Sequence, residues 1–290
     1  MSTVAYEIVD VFTDRPYAGN PLAVVFGGEG LAGDQMQLLA REFNLSETIF
    51  VLPSTAGATY RARIFTPETE LPFAGHPSIG AAVTSVRRGL AEAGEIVQEC
   101  GAGLLPISVT PASATLTGGT PTLSAGLPAD ELLDLVGLDA EDFAGGSALP
   151  ARAGCGLEFV LLPVHRDALA RAWAHSERAR ALKVTGISVF AWDADTRTAY
   201  VRVFCPGVSV PEDPATGSAA LGLGVWLVGN GWLPGDGTSS YTVHQGVEMH
   251  RPSLLECTVT ASGGAVTTAT VSGHVVAIAR GEIAVPPFIG

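Results

Sequence analysis

Apolar and polar residues alternate over short stretches along this chain, and a few longer stretches show helical periodicity. Most of the short stretches are rich in β-branched and aromatic residues and end at Gly, Pro or Asn, as strands do. The pattern therefore predicts a mixed protein with many strands and few helices. Strands are predicted at residues 6–12, 22–26, 48–52, 60–65, 157–164, 187–192, 200–204, 241–247, 254–259, 265–271 and 275–279, with further strand signals from 95 to 116.

Helical periodicity predicts helices at residues 34–43, 129–136 and 166–182, and two unusual ones at 77–90 and 217–228. The two unusual helices are rich in Ala and Gly and apolar on nearly every side. A helix of this kind is expected to be buried at the centre of a domain. Because proline suits the first helical turn, Pro77 predicts that the first of them begins just after His76.

The two apolar helices belong to a weak internal repeat. Residues 64–67 (IFTP) match residues 203–206 (VFCP), and the start of 75–82 (GHPSIGAA) can be laid over 217–220 (GSAA), with Pro72 matched to Pro211. We therefore expect two related domains, residues 1–120 and 121–290, with the last strands able to pack back on the first domain. If the domains face each other, both helix N-termini can point into one cleft.

Composition narrows the classes of function. The 290 residues are 47% hydrophobic and 16% charged, which suits two folded cores. A net charge of −13 disfavours nucleic acid and anionic membranes as partners. The N-terminal residues are not predicted to form a secretory signal, and no apolar run is long enough to span a membrane. The cysteines are scattered without metal spacing, which favours packing in a reducing compartment; they are Cys100, Cys155, Cys205 and Cys257.

Three segments contain candidate catalytic residues. Glu47 lies among Leu45, Ile49 and Phe50, and partial burial raises the pKa of a carboxyl group toward the range that is useful for proton transfer. A glutamate on a solvated turn is the alternative. His76 lies at the start of an apolar helix, where unpaired backbone N–H groups attract anions, although a lone histidine is also compatible with a structural role.

The third segment, residues 211–219, places Asp213 and Ser218 on either side of the turn into the second apolar helix. These residues could bind a ligand, or could simply cap the helix and the turn. A serine hydrolase built on Ser218 is disfavoured because the GxSxG motif is absent. The remaining histidines show no metal-binding spacing, and no GxGxxG motif follows a strand, so neither a metal nor a nucleotide cofactor is expected.

Taken together in order, these segments resemble the PhzF family of phenazine-biosynthesis-like proteins, which is related to diaminopimelate epimerase. The opening motifs at residues 9–13 (VDVFT) and 18–24 (AGNPLAV) and the late motif at Gln245-Gly246 and residues 251–253 (RPS) belong to the same resemblance, which covers essentially the whole chain. It implies an α+β fold of two pseudo-symmetric domains, each a barrel-like antiparallel sheet around a central helix, with the site in the cleft between them.

The resemblance also implies a cytoplasmic homodimer, no cofactor, and isomerisation of a small carboxylate or cyclic amino acid such as trans-2,3-dihydro-3-hydroxyanthranilate in a biosynthetic pathway. Glu47 matches the glutamate that moves the proton, and His76 and Asp213 match further catalytic positions. The positions expected to bind substrate are Ser46, Gly75, Gly217 and Ser218.

The sequence departs from the related epimerases at the two positions where they have catalytic cysteines. Ala74 and Thr216 stand there, and neither side chain can act as a base near neutral pH. Inversion at a carbon needs a proton donor on each face, whereas a proton shift on one face needs a single carboxylate. The substitutions therefore favour proton migration. A non-catalytic small-molecule binding protein on the same scaffold is the alternative, because fold resemblance alone does not decide function.

Overall fold

The computed structural model describes residues 2–206 and 210–288. The chain forms two compact units. Unit 1 contains the residues up to Thr117 together with those from Ser272 onward, and unit 2 contains Gly118–Val271. The division into domains of residues 1–120 and 121–290, with the last strands able to pack back on the first domain, stays a prediction.

Helices are few among the described residues, and strands predominate, as the sequence pattern predicts. The α-helices are α1 (Gly33–Phe43), α2 (Gly75–Arg87), α3 (Ala129–Leu135), α4 (Ser176–Ala181) and α5 (Gly217–Gly229), with short 3-10 segments at Ala140–Asp142 and Arg166–Arg171. The strands are β1 (Thr3–Val11), β2 (Asn20–Phe26), β3 (Glu47–Leu52), β4 (Tyr60–Phe65), β5 (Glu70–Leu71), β6 (Gly94–Cys100), β7 (Gly103–Val109), β8 (Ser113–Thr117), β9 (Pro121–Leu123), β10 (Ala151–Cys155), β11 (Leu157–Pro163), β12 (Ile187–Asp193), β13 (Thr198–Cys205), β14 (Val210–Asp213), β15 (Gly237–Gln245), β16 (Ser253–Ser262) and β17 (Ala265–Ala284).

Unit 1 is a closed barrel of eight strands. The pairs run β1–β2, β2–β3, β3–β4, β4–β6, β6–β7, β7–β8, β8–β17 and β17–β1, so the last strand returns to the first. The β2–β3 and β4–β6 pairs are parallel. The expected barrel is confirmed, and these two parallel pairs make its otherwise antiparallel sheet mixed.

Helix α2 is the central helix of unit 1. Every residue from Gly75 to Ser85 is buried, and Gly80 allows the close approach to β2, because a Cβ there would lie 2.4 Å from Leu22 Cδ2. The prediction that α2 starts after His76 is wrong by two residues. Ala74 is the extended N-cap (φ −149°, ψ 140°), so His76 lies within the first turn.

Unit 2 repeats this order of elements around α5. Its pairs are β9–β10 and β10–β11 antiparallel, β11–β12 parallel, β12–β13 antiparallel, β13–β15 parallel and β15–β16 antiparallel. The parallel pairs fall at the same places as in unit 1, and α2 and α5 both have 13 residues. The internal repeat of the sequence is therefore a repeat of structure.

One predicted helix and two predicted strands differ from the structure. The helix predicted at 166–182 is broken into the 3-10 segment and α4, because the guanidinium group of Arg202 donates to the carbonyl groups of Leu169 and Ala172. The strands predicted at 265–271 and 275–279 are one continuous strand, β17. Gly273 lies between the two predicted strands. In the structure it makes room for the ring of Phe12, since a Cβ at this position would lie 2.2 Å from Phe12 Cδ1.

Within the described part of the chain, no helix combines the length and apolar character needed to cross a membrane.

Candidate active site

Four polar residues of unit 1 meet at the start of the central helix. Asn20 is the first residue of β2, Ser46 and Glu47 stand at the start of β3, and His76 lies in the first turn of α2. Because β2 and β3 are parallel, with Leu22 opposite Glu47, both strands begin at the same edge of the barrel. The fold thus brings Ser46, Glu47 and His76 together and adds Asn20.

The Nδ1 atom of His76 is the centre of this cluster. It lies 3.4 Å from Glu47 Oε2 and 3.4 Å from Asn20 Nδ2. The hydroxyl group of Ser46 donates to Asn20 Oδ1 at 3.1 Å, which leaves the amide nitrogen of Asn20 directed to the ring. Whether Nδ1 accepts from Asn20 depends on the tautomer of the ring.

His76 is a neutral imidazole at physiological pH. Burial lowers the pKa of His76 to about 3, and a hydrogen bond with the backbone of Pro21 opposes this shift only in part. Only 4% of the residue is exposed. The 3.4 Å approach of Glu47 is therefore a contact with an uncharged ring and not an ion pair between two charged groups.

The start of α2 favours an anion. Its first turn contains no acidic residue, and the N-cap Ala74 makes no side-chain hydrogen bond to the first N–H groups. Backbone N–H groups at such an end carry partial positive charge. A substrate carboxylate is the kind of group that this end attracts.

A buried chain of hydrogen bonds fixes the position of that helix start. Tyr60 donates to Gln98 Oε1 at 3.0 Å, Gln98 Nε2 donates to Ser78 Oγ at 2.8 Å, and Ser78 Oγ donates to the Ala74 carbonyl at 2.9 Å. Gln98 and Ser78 have no exposed surface. The chain ties α2 to β4 and β6 of the barrel wall.

A second polar group lies at the start of α5 in unit 2. Thr216, the N-cap, donates its hydroxyl to Asp213 Oδ2 at 2.5 Å. Gln245 accepts from the Thr216 backbone N–H at 3.1 Å and donates to the Asp213 carbonyl at 2.7 Å. Gly217 and Ser218 open the helix, and Asp213 is buried. The predicted residues of this segment therefore lie together, with Gln245 in addition.

Asn20 and Gln245 are the two polar residues that the sequence reasoning left out of the site. Both stand in the motifs that carry the family resemblance, AGNP and QG, so a signal was present. Neither segment shows from sequence that its amide faces a helix start, because the contact is made across 56 residues in one case and 29 in the other.

Among residues 2–206 and 210–288, no group of three or more His, Cys, Asp or Glu side chains is placed to hold a metal ion.

A family model described as phenazine biosynthesis-like protein, PhzC-PhzF, matches residues 9–281. The chain belongs to the PhzC-PhzF family. This PhzC-PhzF protein is 35% identical to an uncharacterized isomerase of Mesorhizobium japonicum, over 98% of this chain and 99% of the relative. It is 32% identical to the trans-2,3-dihydro-3-hydroxyanthranilate isomerase of Pseudomonas aeruginosa, over 96% and 98%.

The structural comparison agrees with the family assignment. The crystal structure of the Bacillus anthracis phenazine biosynthesis protein of the PhzF family matches with a TM-score of 0.88 and 26% identity, covering 98% of this chain and 100% of that one. The PhzC-PhzF protein described here is accordingly an isomerase with the fold of its family.

Proposed function

We propose that this protein is a cofactor-independent isomerase that moves a proton between two carbons of a small carboxylate substrate. The substrate is similar to trans-2,3-dihydro-3-hydroxyanthranilate, and the reaction belongs to a biosynthetic pathway. The observation that carries the proposal is the contact of Glu47 with neutral His76 at the uncapped start of α2. The similarity to the Pseudomonas aeruginosa isomerase supports the substrate class.

Glu47 is the proposed proton carrier. Its carboxylate takes a proton from one carbon of the substrate, and the electron pair of that C–H bond moves into the conjugated system. The same carboxyl group then returns the proton to a second carbon, so the double bond shifts and no other reactant is consumed. His76 orients Glu47 and, with Asp213, binds the amino or hydroxyl group of the substrate.

The side chains ahead of the two central helices support a reaction with one base. Ala74 has no titratable group, and the hydroxyl group of Thr216 is committed to Asp213. A two-base inversion needs a second proton donor on the opposite face of the carbon. Glu47 remains as the group suited to carry the proton, which favours proton migration.

The helix starts are the proposed anion-binding elements. The N–H groups at Gly75 and Gly217 stabilise negative charge on the substrate, and the hydroxyl groups of Ser46 and Ser218 complete the binding. The net charge of −13 repels anions at long range, so capture depends on these local donors.

Proton NMR in D₂O tests the proposal. Dihydrohydroxyanthranilate and related cyclic amino acids are incubated with wild type, Glu47→Gln and the control Glu42→Gln, which alters an exposed glutamate of α1. We expect conversion or deuterium uptake with wild type and the control. In Glu47→Gln the rate should fall by about 100- to 10,000-fold, the usual contribution of a general acid–base group. Binding without exchange in wild type would instead support the non-catalytic binding protein.

We further propose a homodimer in the cytoplasm. The cysteines form no disulfide among the described residues, and Cys155, Cys205 and Cys257 are buried, which supports a reducing compartment. Sedimentation of the purified protein tests the dimer, and fractionation of the native cell tests the compartment. A monomer at micromolar concentration, or recovery outside the cytoplasm, would contradict the respective part.

A further inference from the structure

In each unit, a bidentate arginine–glutamate pair joins the two strands that precede the central helix, β4 and β5 in unit 1 and β13 and β14 in unit 2. In unit 1, Arg63 Nε and Nη2 donate to the two carboxylate oxygens of Glu70, both at 2.7 Å. In unit 2, Arg202 Nε and Nη2 donate to the two oxygens of Glu212, both at 2.8 Å. We call these the unit 1 clamp and the unit 2 clamp.

The two clamps occupy the same place in the internal repeat. Each glutamate stands five residues before the glycine that opens the central helix, Gly75 or Gly217. The strand register agrees, because Ile64 pairs with Leu71 where Val203 pairs with Asp213. Pro72 therefore corresponds to Pro214, and its match to Pro211 in the sequence repeat is wrong.

The neighbourhood of each arginine is repeated as well. Each guanidinium group lies over the ring of the phenylalanine two residues further on, at 5.1 Å for Arg63 and Phe65 and 5.0 Å for Arg202 and Phe204. The same clamp is thus present twice, with the same partners and the same geometry.

The residue that follows the glutamate differs between the clamps. In unit 1 it is Leu71, whereas in unit 2 it is Asp213. The unit 2 clamp is also more deeply buried, with side chains 10% and 16% exposed against 29% and 43% in unit 1. Only the unit 2 clamp stands next to a residue of the candidate site.

The unit 2 clamp connects Asp213 to the rest of its unit. Arg202 Nη1 donates to the carbonyl groups of Leu169 and Ala172, so the guanidinium group is held from two sides. On the other side of Asp213, Gln245 donates to the Asp213 carbonyl. The Asp213 backbone is therefore fixed between the clamp and Gln245.

The start of α2 has a separate support. Its N-cap carbonyl is held by the chain from Tyr60 through Gln98 to Ser78, which does not include Arg63 or Glu70. Loss of the unit 1 clamp therefore leaves the position of His76 supported. The unit 1 clamp is a matched control within the same chain.

We propose that Arg202 and Glu212 are positioning residues that hold the carboxyl group of Asp213 in its productive place. The inference rests on the proposed function, in which Asp213 binds the substrate. A planar guanidinium group that bonds a carboxylate twice fixes both distance and orientation, which a lysine cannot do. A displacement of about 1 Å at a reacting centre can cost on the order of 100-fold in rate.

The test compares Glu212→Gln and Arg202→Lys with Glu70→Gln and Arg63→Lys. Steady-state kinetics on the best substrate of the NMR panel give kcat and KM, urea unfolding gives stability, and hydrogen exchange followed by mass spectrometry gives the protection of residues 213–218. A further variant, Arg202→Met with Glu212→Met, replaces the buried pair by apolar side chains, an exchange that is often neutral for stability.

We expect Glu212→Gln and Arg202→Lys to lower kcat by about tenfold or more, with a smaller change in KM, and to reduce the protection of 213–218. The unit 1 variants should keep kcat within about threefold of wild type, as groups remote from the reacting atoms do. The double methionine variant should regain stability over the single variants but not kcat.

Recovery of kcat together with stability in the double methionine variant would overturn the proposal, since the pair would then be only structural. Equal loss of kcat in both clamps would do the same. If wild type converts nothing in the panel, the proposed function fails, and hydrogen exchange alone decides: protection lost at 213–218 in Glu212→Gln supports the clamp, and unchanged protection refutes it.

Discussion

The Nδ1 atom of His76 lies 3.4 Å from the Oε2 atom of Glu47, at the start of the central helix of unit 1. Because burial lowers the pKa of His76 to about 3, the ring is neutral at physiological pH. A neutral imidazole beside a carboxylate leaves the basicity of that carboxylate largely intact, whereas an imidazolium would reduce it. The contact therefore suits a glutamate that must accept a proton from carbon.

The low pKa of His76 predicts a specific dependence of stability on pH. Between pH 6.5 and about 3 the unfolded chain binds a proton at this position and the folded protein does not. The free energy of unfolding therefore falls on acidification through this window, by up to about 1.4 kcal/mol per pH unit from this group. His76→Gln should remove that contribution.

Urea unfolding of wild type and His76→Gln from pH 7 to pH 4 measures the contribution of His76 to the free energy of unfolding. Most other titrating groups contribute equally to both proteins, so the difference between the two curves isolates His76. Parallel curves over the whole range would show that His76 takes up a proton in the folded state as readily as in the unfolded chain.

Asn20 should matter for both stability and turnover. The residue has no exposed surface, and its amide joins the Ser46 hydroxyl to His76. Asn20→Ala leaves these partners without the amide, which should cost about 1 to 3 kcal/mol of stability. Turnover should fall further than stability explains, because His76 loses its orientation.

Thermal unfolding and steady-state kinetics of Asn20→Ala check this, with Asn230→Ala as the control, since Asn230 caps the far end of α5. Equal turnover in Asn20→Ala and wild type at a temperature where both are folded would exclude a role of Asn20 in the site.

The barrel wall and its central helices could be predicted from sequence because their patterns are local. Tyr60–Phe65 carries the composition of a strand, and α5 is apolar on nearly every side, which only a buried helix can be. The internal repeat predicts two related units built from such strands and a buried helix, and the repeated strand order of the two units confirms this prediction.

The features that the sequence did not predict depend on contacts between distant residues. Arg202 donates hydrogen bonds to the carbonyl groups of Leu169 and Ala172. These bonds interrupt the helix that the sequence pattern predicts at residues 166–182. Gly273 makes room for the ring of Phe12 within a continuous strand, although a glycine between two strand-like segments is also typical of a turn. Asn20 also belongs to this class, because its role depends on a helix that starts 55 residues later.

Gln98 should be one of the more costly buried residues to replace. Gln98→Leu removes the group that accepts from Tyr60 and donates to Ser78, and two buried hydroxyl groups lose a partner. We expect a loss of about 2 to 4 kcal/mol, measured by urea unfolding. If the chain acts as a unit, the double variant Gln98→Leu with Tyr60→Phe will cost less than the sum of the single variants; simple additivity would argue against it.

The cysteines should differ sharply in reactivity. Burial raises the pKa of Cys155 to about 11 and that of Cys257 to about 12, whereas Cys100 is partly exposed. Since the thiolate is the reactive form, a maleimide should label Cys100 alone in the folded protein. Mass spectrometry of the labelled protein, with Cys100→Ser as control, checks this. Labelling of Cys155 or Cys257 before unfolding would contradict the packing seen here.

Transfer of a labelled proton tests the role of Glu47 most directly. A converted substrate carrying deuterium at the carbon that loses its proton is incubated in ordinary water under single-turnover conditions, and the product is analysed by NMR. If one partly buried carboxyl group takes and returns the proton, a fraction of the wild-type product carries deuterium at the receiving carbon, and Glu47→Gln gives no product above background. Turnover of Glu47→Gln at the wild-type rate, or wild-type product in which the receiving carbon holds only solvent hydrogen, would contradict this assignment.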